Sequence, residues 1–155
     1  MAKIVFKRKF ICERLEDYSV SYNGESIKTE TDAIRLLRDI YKKEEIDMAI
    51  NEACFVVFLN ANNTPLGYFK VSEGGIDSTT MDVRMIAKSA LDALATGVIL
   101  AHNHPSGRPN PSAADAKETT KVKKALALFS INVVDHIILT ENECYSFASE
   151  MVIKG

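Results

Sequence analysis

Cysteine is scarce in these 155 residues, and the three present, Cys12, Cys54 and Cys144, stand far apart with no Cys-x-x-Cys spacing. An odd, scattered set indicates neither a disulfide framework nor a structural thiolate zinc site; reduced, partly buried thiols are the reading that remains. No apolar run is long enough to cross a bilayer. The first ten residues, Met-Ala-Lys-Ile-Val-Phe-Lys-Arg-Lys-Phe, mix basic with apolar side chains and lack the pattern of a signal peptide. A cytoplasmic protein with no membrane partner is therefore expected. Charge of one sign is missing too: 19 Lys and Arg against 21 Asp and Glu give a formal net charge of −2, which supplies no global attraction to nucleic acid or anionic lipid. Any nucleic-acid binding would have to be local.

What is there is an ordinary globular composition, 46% hydrophobic, at a length suited to one domain with a substantial core. Lys3 to Phe10 fits a short, polar edge strand, with the Lys7-Arg8-Lys9 cluster solvated. Residues 11 to 30 are polar and contain the turn signal Asn23-Gly24, so a hairpin or extended arm is expected there. Thr31-Asp32 opens a helix whose Ile34, Leu37, Ile40 and Tyr41 share one face. Strands follow at Ala53 to Leu59 and Leu66 to Val71, separated by a polar turn. A second helix runs from Thr80 or Asp82 to Leu94, carries Met85, Ile86, Ala90, Ala93 and Leu94 on its apolar face, and has Gly97 placed to stop it.

The chain is organised around Val98 to Asp115, VILAHNHPSGRPNPSAAD. Val98 to Ala101 is a short apolar run suited to a strand buried on both faces. Side chains alternate along a strand, so His102 and His104 leave its end on one side, where two neutral imidazoles can converge on a cation. Pro105 forbids a further ladder donor, and the turn residues Ser106 to Pro111 loop the chain outward. Ser112-Ala-Ala-Asp115 then reads as a capping-box-like start to a helix that continues from Ala116 to Phe129, with Lys117, Lys121, Lys123 and Lys124 forming a solvated face. If the loop folds back on the strand end, Asp115 joins the two histidines. Two imidazoles, one carboxylate and an open position are what a catalytic zinc site requires. Taken singly, a serine and aspartate that cap a helix and histidines that end a strand are ordinary; their conjunction at this spacing is not.

His102-x-His104-Pro105, six residues, Ser112, two residues and Asp115 resembles the JAMM motif of JAB/MPN metalloproteases, and HNHPSG with PS..D resembles its RadC-like branch. The likeness extends to Asn51-Glu52-Ala-Cys-Phe-Val-Val-Phe-Leu-Asn, to Val-Val-Asp135-His136-Ile-Ile-Leu-Thr and to Tyr145-Ser146-Phe147, covering about residues 45 to 150, with residues 1 to 30 as an N-terminal extension. It implies a JAB/MPN-like, cytidine deaminase-like architecture, in agreement with the α/β pattern of a mixed central sheet flanked by helices. It also implies Zn2+ held by His102, His104 and Asp115, an oxyanion supported by Ser112, and Glu52 handling the proton of the attacking water. Glu73, beside Gly74 and Gly75, competes for that last role. His136, on a buried strand from Val133 to Thr140, is read as a hydrogen-bonded core residue or a partner of the ligands and is left out of the metal shell.

The resulting expectation is a zinc-dependent hydrolase cleaving a peptide or isopeptide bond in a peptide or protein substrate. A second expectation, of another class, is a DNA-associated accessory protein with a structural or vestigial metal. RadC proteins carry a helical module before this core, and the N-terminal extension is too short to hold it, which weakens inferences about DNA taken from the family. A metal nuclease read from the literal His-Asn-His lacks a second set of phosphate-directed ligands.

Overall fold

A computed structural model describes residues 13, 14, 24–74 and 81–154. The strand expected at Lys3 to Phe10, with its basic cluster, and Cys12 lie outside the described residues. Among the described residues, seven strands form one mixed sheet: β1 (Glu13–Arg14), β2 (Ala53–Leu59), β3 (Pro65–Glu73), β4 (Gly97–Asn103), β5 (Asn132–Leu139), β6 (Glu143–Ser146) and β7 (Met151–Lys154). Their order is β1-β3-β2-β4-β5-β6-β7, and every neighbouring pair is antiparallel except β4 and β5. A parallel pair needs a long crossover, and here helix α3 (Ala113–Ala127) supplies it.

Period-two alternation divides the central strands between two layers. Ala53, Phe55, Val57 and Leu59 of β2, with Ile99 and Ala101 of β4, pack under helix α1 (Glu30–Lys43). Cys54, Val56 and Phe58, with Val98 and Leu100, pack under helix α2 (Val83–Asp92) and α3 through Ile86, Ala90, Val122 and Leu126. Every residue of β2 and β4 is buried, as strands covered on both faces require. Cys54 and Cys144 are buried free thiols. The four lysines of α3 are exposed, and no helix among the described residues is long and apolar enough to cross a membrane.

Four local expectations are corrected. Helix α1 begins at Glu30, not at Thr31-Asp32: Thr29 is the N-cap, its hydroxyl accepting the Asp32 N–H while the Asp32 carboxylate accepts the Thr29 N–H. Gly97 does not stop the second helix. That role falls to Leu94, which takes a left-handed φ of 55° while its N–H donates to the Leu91 carbonyl and the Ala95 N–H to the Ala90 carbonyl. Leu94 is accordingly not part of the apolar face, being 82% exposed. Gly97 instead opens β4 at a close approach, because a Cβ there would meet Val134 Cγ2 at 3.3 Å. Helix α3 ends at Ala127, leaving Phe129 beyond it.

Candidate metal centre

The C-terminal ends of the parallel strands β4 and β5 open toward the N-terminus of α3, the position where open α/β sheets commonly place ligands. His102 continues the alternation of Val98 and Leu100 and so leaves β4 on the α2–α3 side, only 3% exposed. Asn103 points the other way. Its Oδ1 accepts the Ala53 N–H at 2.8 Å, and its Nδ2 donates to the carbonyls of Met48 at 3.0 Å and Asn51 at 2.8 Å.

His104 stands one residue beyond the strand. Gly107, at a φ of 75° that only glycine adopts freely, turns the loop back so that the Arg108 carbonyl lies 2.8 Å from His104 Nδ1. A carbonyl can only accept, so Nδ1 carries the proton and a neutral His104 presents Nε2 as a lone pair. Asp115 is fixed by the capping box: its N–H donates to Ser112 Oγ at 3.0 Å and its Oδ2 accepts the Ser112 N–H at 2.7 Å. The predicted return of the loop is thereby realised.

The donor atoms form a compact triangle. His102 Nε2 and His104 Nε2 are 3.0 Å apart, Asp115 Oδ1 is 3.3 Å from the first, and Asp115 Oδ2 is 3.4 Å from the second. Tetrahedral zinc with bonds of about 2.0–2.1 Å sets its donors about 3.3 Å apart, so these three residues fit the ion. His102, His104 and Asp115 form the described cluster able to hold a metal. His104 and Asp115 side chains keep 18% exposure, so solvent reaches the triangle from the loop side.

Electrostatics reflect this crowding. Partial burial works to raise the Asp115 carboxyl, but once the imidazoles are protonated, hydrogen bonds from His102 and His104 and the charge of His102, together with the Ser112 N–H, hold it far below the usual carboxylate range. Burial likewise opposes a charge on His104, yet the Asp115 carboxylate and the Arg108 carbonyl, with a smaller contribution from Glu52, leave its pKa raised.

Glu52 immediately precedes β2. It has the parity of Cys54, whose strand partner is His102, and is partly exposed; its carbonyl accepts the Gly74 N–H at 2.9 Å. Glu73 lies in register with Ala53, and its carboxylate binds Lys70 at 2.5 Å, which in turn reaches Glu44 at the C-cap of α1. Glu73 is thus engaged on the α1 side of the sheet. Ser112 is exposed at the rim. His136 of β5 is fully buried, stacked on Phe147 with ring centroids 4.8 Å apart and planes 4° apart, and its Nε2 lies 2.7 Å from His102 Nδ1. Burial pushes its pKa well down.

Residues 27–152 match the RadC-like JAB domain. The chain belongs to the RadC-like JAB domain family. A UPF0758 protein of Flavobacterium johnsoniae is 45% identical over 100 residues, 64% of this chain and 44% of that protein. A UPF0758 protein of Herminiimonas arsenicoxydans is 40% identical over 99 residues, again 64% and 44%. One from Pasteurella multocida is 32% identical over 146 residues, 94% of this chain and 60% of the relative. This RadC-like chain therefore spans less than two thirds of these relatives.

Nothing along the sequence marks a supporting role for Asn103, Thr119 or Asp135. Asn103 sat in plain view between two histidines, but its partners are 50 to 55 positions away. Asp135 accepts the N–H groups of His136 and Ala148 and the Ser146 hydroxyl, holding β5 and the segment after β6 together.

Proposed function

We propose that this RadC-like domain is a zinc-dependent hydrolase of the JAMM type, cleaving a peptide or isopeptide bond in a peptide or protein substrate. The observation that carries this reading is the donor triangle, sized for a tetrahedral ion and open to solvent on one side. His102, His104 and Asp115 would hold zinc, which when bound acidifies a coordinated water to a pKa of about 7. The Glu52 carboxylate takes the proton of the attacking water and delivers it to the leaving amine. Ser112 keeps its hydroxyl proton available, because its Oγ only accepts within the capping box. In this reading that proton bonds the scissile carbonyl oxygen as it gains charge, an interaction that strengthens toward the transition state. The substrate is bound from the loop side, where His104, Asp115 and Ser112 meet solvent.

The test is elemental analysis of protein purified without chelator, alongside His104→Ala. One zinc per chain in the parent and a clear loss in the variant support the reading. No zinc in either, even after zinc is added back, removes it and favours a DNA-associated module, with nucleic-acid affinity that falls steeply with salt.

A further inference from the structure

Behind the donor triangle, on its buried side, two polar side chains continue from His102: His136 and then Thr119, which returns to the backbone of Asp115. We propose that Thr119 and His136 are positioning residues that fix the proton of His102 on Nδ1, so that Nε2 faces His104 and Asp115 as a bare lone pair. This rests on the reading of the triangle as a metal site.

The direction of the chain follows from counting protons. The Asp115 carbonyl can only accept, and Thr119 Oγ1 lies 2.6 Å from it, donating its single hydroxyl proton to the carbonyl four residues back. With that proton committed, the 2.6 Å contact between Thr119 Oγ1 and His136 Nδ1 requires the ring nitrogen to donate. His136 is fully buried, and a ring with a single proton must then carry it on Nδ1, which leaves Nε2 to accept. The partner at 2.7 Å, His102 Nδ1, must then carry a proton, and a neutral His102 has none left for Nε2. Each link is forced by the one before it.

The Phe147 ring, brought alongside by the Phe147 N–H that donates to the His136 backbone carbonyl at 3.0 Å, stacks on the His136 imidazole and restrains its plane. His104 reaches the same tautomer by a shorter route, through the Arg108 carbonyl. Both imidazoles therefore turn their N–H groups outward and their lone pairs inward, onto a carboxylate. Three acceptors within 3.0 to 3.4 Å of one another repel until a cation sits among them. Were the chain to run the other way, His102 Nε2 would bear hydrogen, bond Asp115 directly and be unable to ligate.

The experiment is a long-range proton–nitrogen NMR correlation on nitrogen-15-labelled, metal-free protein in mildly alkaline buffer, which separates the two imidazole tautomers. It is paired with zinc titrations against a chromophoric chelator on parent, Thr119→Val and Thr119→Ser. Expected are Nδ1–H signals for His102 and His136 in the parent; in Thr119→Val, mixed tautomers and zinc affinity lower by about 10–100-fold; and recovery of both in Thr119→Ser. A parent with His102 protonated at Nε2, or a folded Thr119→Val with parental tautomers and affinity, overturns the proposal. If Thr119→Val does not fold, the parent's tautomers alone decide. A parent that shows both Nδ1–H signals yet takes up no zinc overturns the metal reading and leaves the relay standing.

Discussion

Asn103 is bonded across the sheet to Ala53, its Oδ1 accepting the backbone N–H at 2.8 Å. The bond ties the end of the histidine strand to the residue that follows Glu52. The same amide holds the carbonyls of Met48 and Asn51, so the segment bearing Glu52 is set against the histidines by one buried side chain. Asn103→Ala leaves a buried N–H and two carbonyls without that partner, at a cost of about 1–3 kcal/mol for the unmet groups. Denaturant unfolding should register the loss, and turnover should fall while zinc is still bound. A variant as stable and as active as the parent would show that the tie is idle.

Glu52 and Glu73 differ in placement, which makes a paired substitution informative. Glu52→Gln should retain zinc and lose about 10²–10⁴-fold in turnover, the contribution of a positioned general base. Glu73→Gln, which disturbs only an exposed pair with Lys70, should leave turnover within a small factor of the parent. Steady-state rates on a cleavable peptide decide between them; the reverse order would transfer the role to Glu73.

If His104 is a zinc ligand as proposed, zinc and protons compete for it. Burial disfavours its charged form, but Asp115 and the Arg108 carbonyl prevail, so the metal-free imidazole holds its proton above its ordinary pKa. Zinc affinity should climb with pH, by up to about tenfold per unit for one displaced proton, and level off above that raised value. Stability of the metal-free protein takes the opposite sign. His104 binds its proton more tightly folded than unfolded, so this contribution is fully present below the unfolded pKa and lost as pH rises through the folded one. Chelator competition and thermal melts across that window check both slopes; a pH-independent zinc affinity would remove His104 from the ligands.

Leu94 occupies the left-handed position that closes α2, a conformation costing a branched side chain about 1–2 kcal/mol that glycine does not incur. Because the leucine is mostly exposed, little packing is lost on replacing it. Leu94→Gly should raise the denaturation midpoint and leave zinc affinity unchanged. A lower midpoint would mean that the leucine packs against something that offsets its strain.

The parts of this molecule legible in the sequence are those set by neighbours along the chain. Alternation placed His102 and His104 on one side of a buried strand, and the three-residue step from Ser112 to Asp115 announced the capping box that holds the carboxylate. The left-handed turn at Leu94 was hidden because leucine carries no turn signal, so the nearby Gly97 drew the assignment. Strand β7 was hidden because Met151 to Lys154 is an exposed edge with no alternation of burial. Thr119 reads in sequence as an ordinary helix residue; only the crossover of α3 onto β5 brings it to His136, 17 positions on. The hidden part of the site is thus its long-range support, and its candidate metal donors are local.

That locality has a topological consequence. His102 and Asp115 are only thirteen positions apart, and the segment between them is a single loop joining a finished strand to the first turn of a helix. A cation gripping both ends would work as a clasp on one short stretch of chain, closing little conformational freedom beyond that stretch. The seven-stranded sheet beneath carries its own buried layers on both faces. Opening it would loosen residues 104–112 as an independent unit while the sheet amides kept their protection, so that an ion could be exchanged at the rim without the fold coming apart.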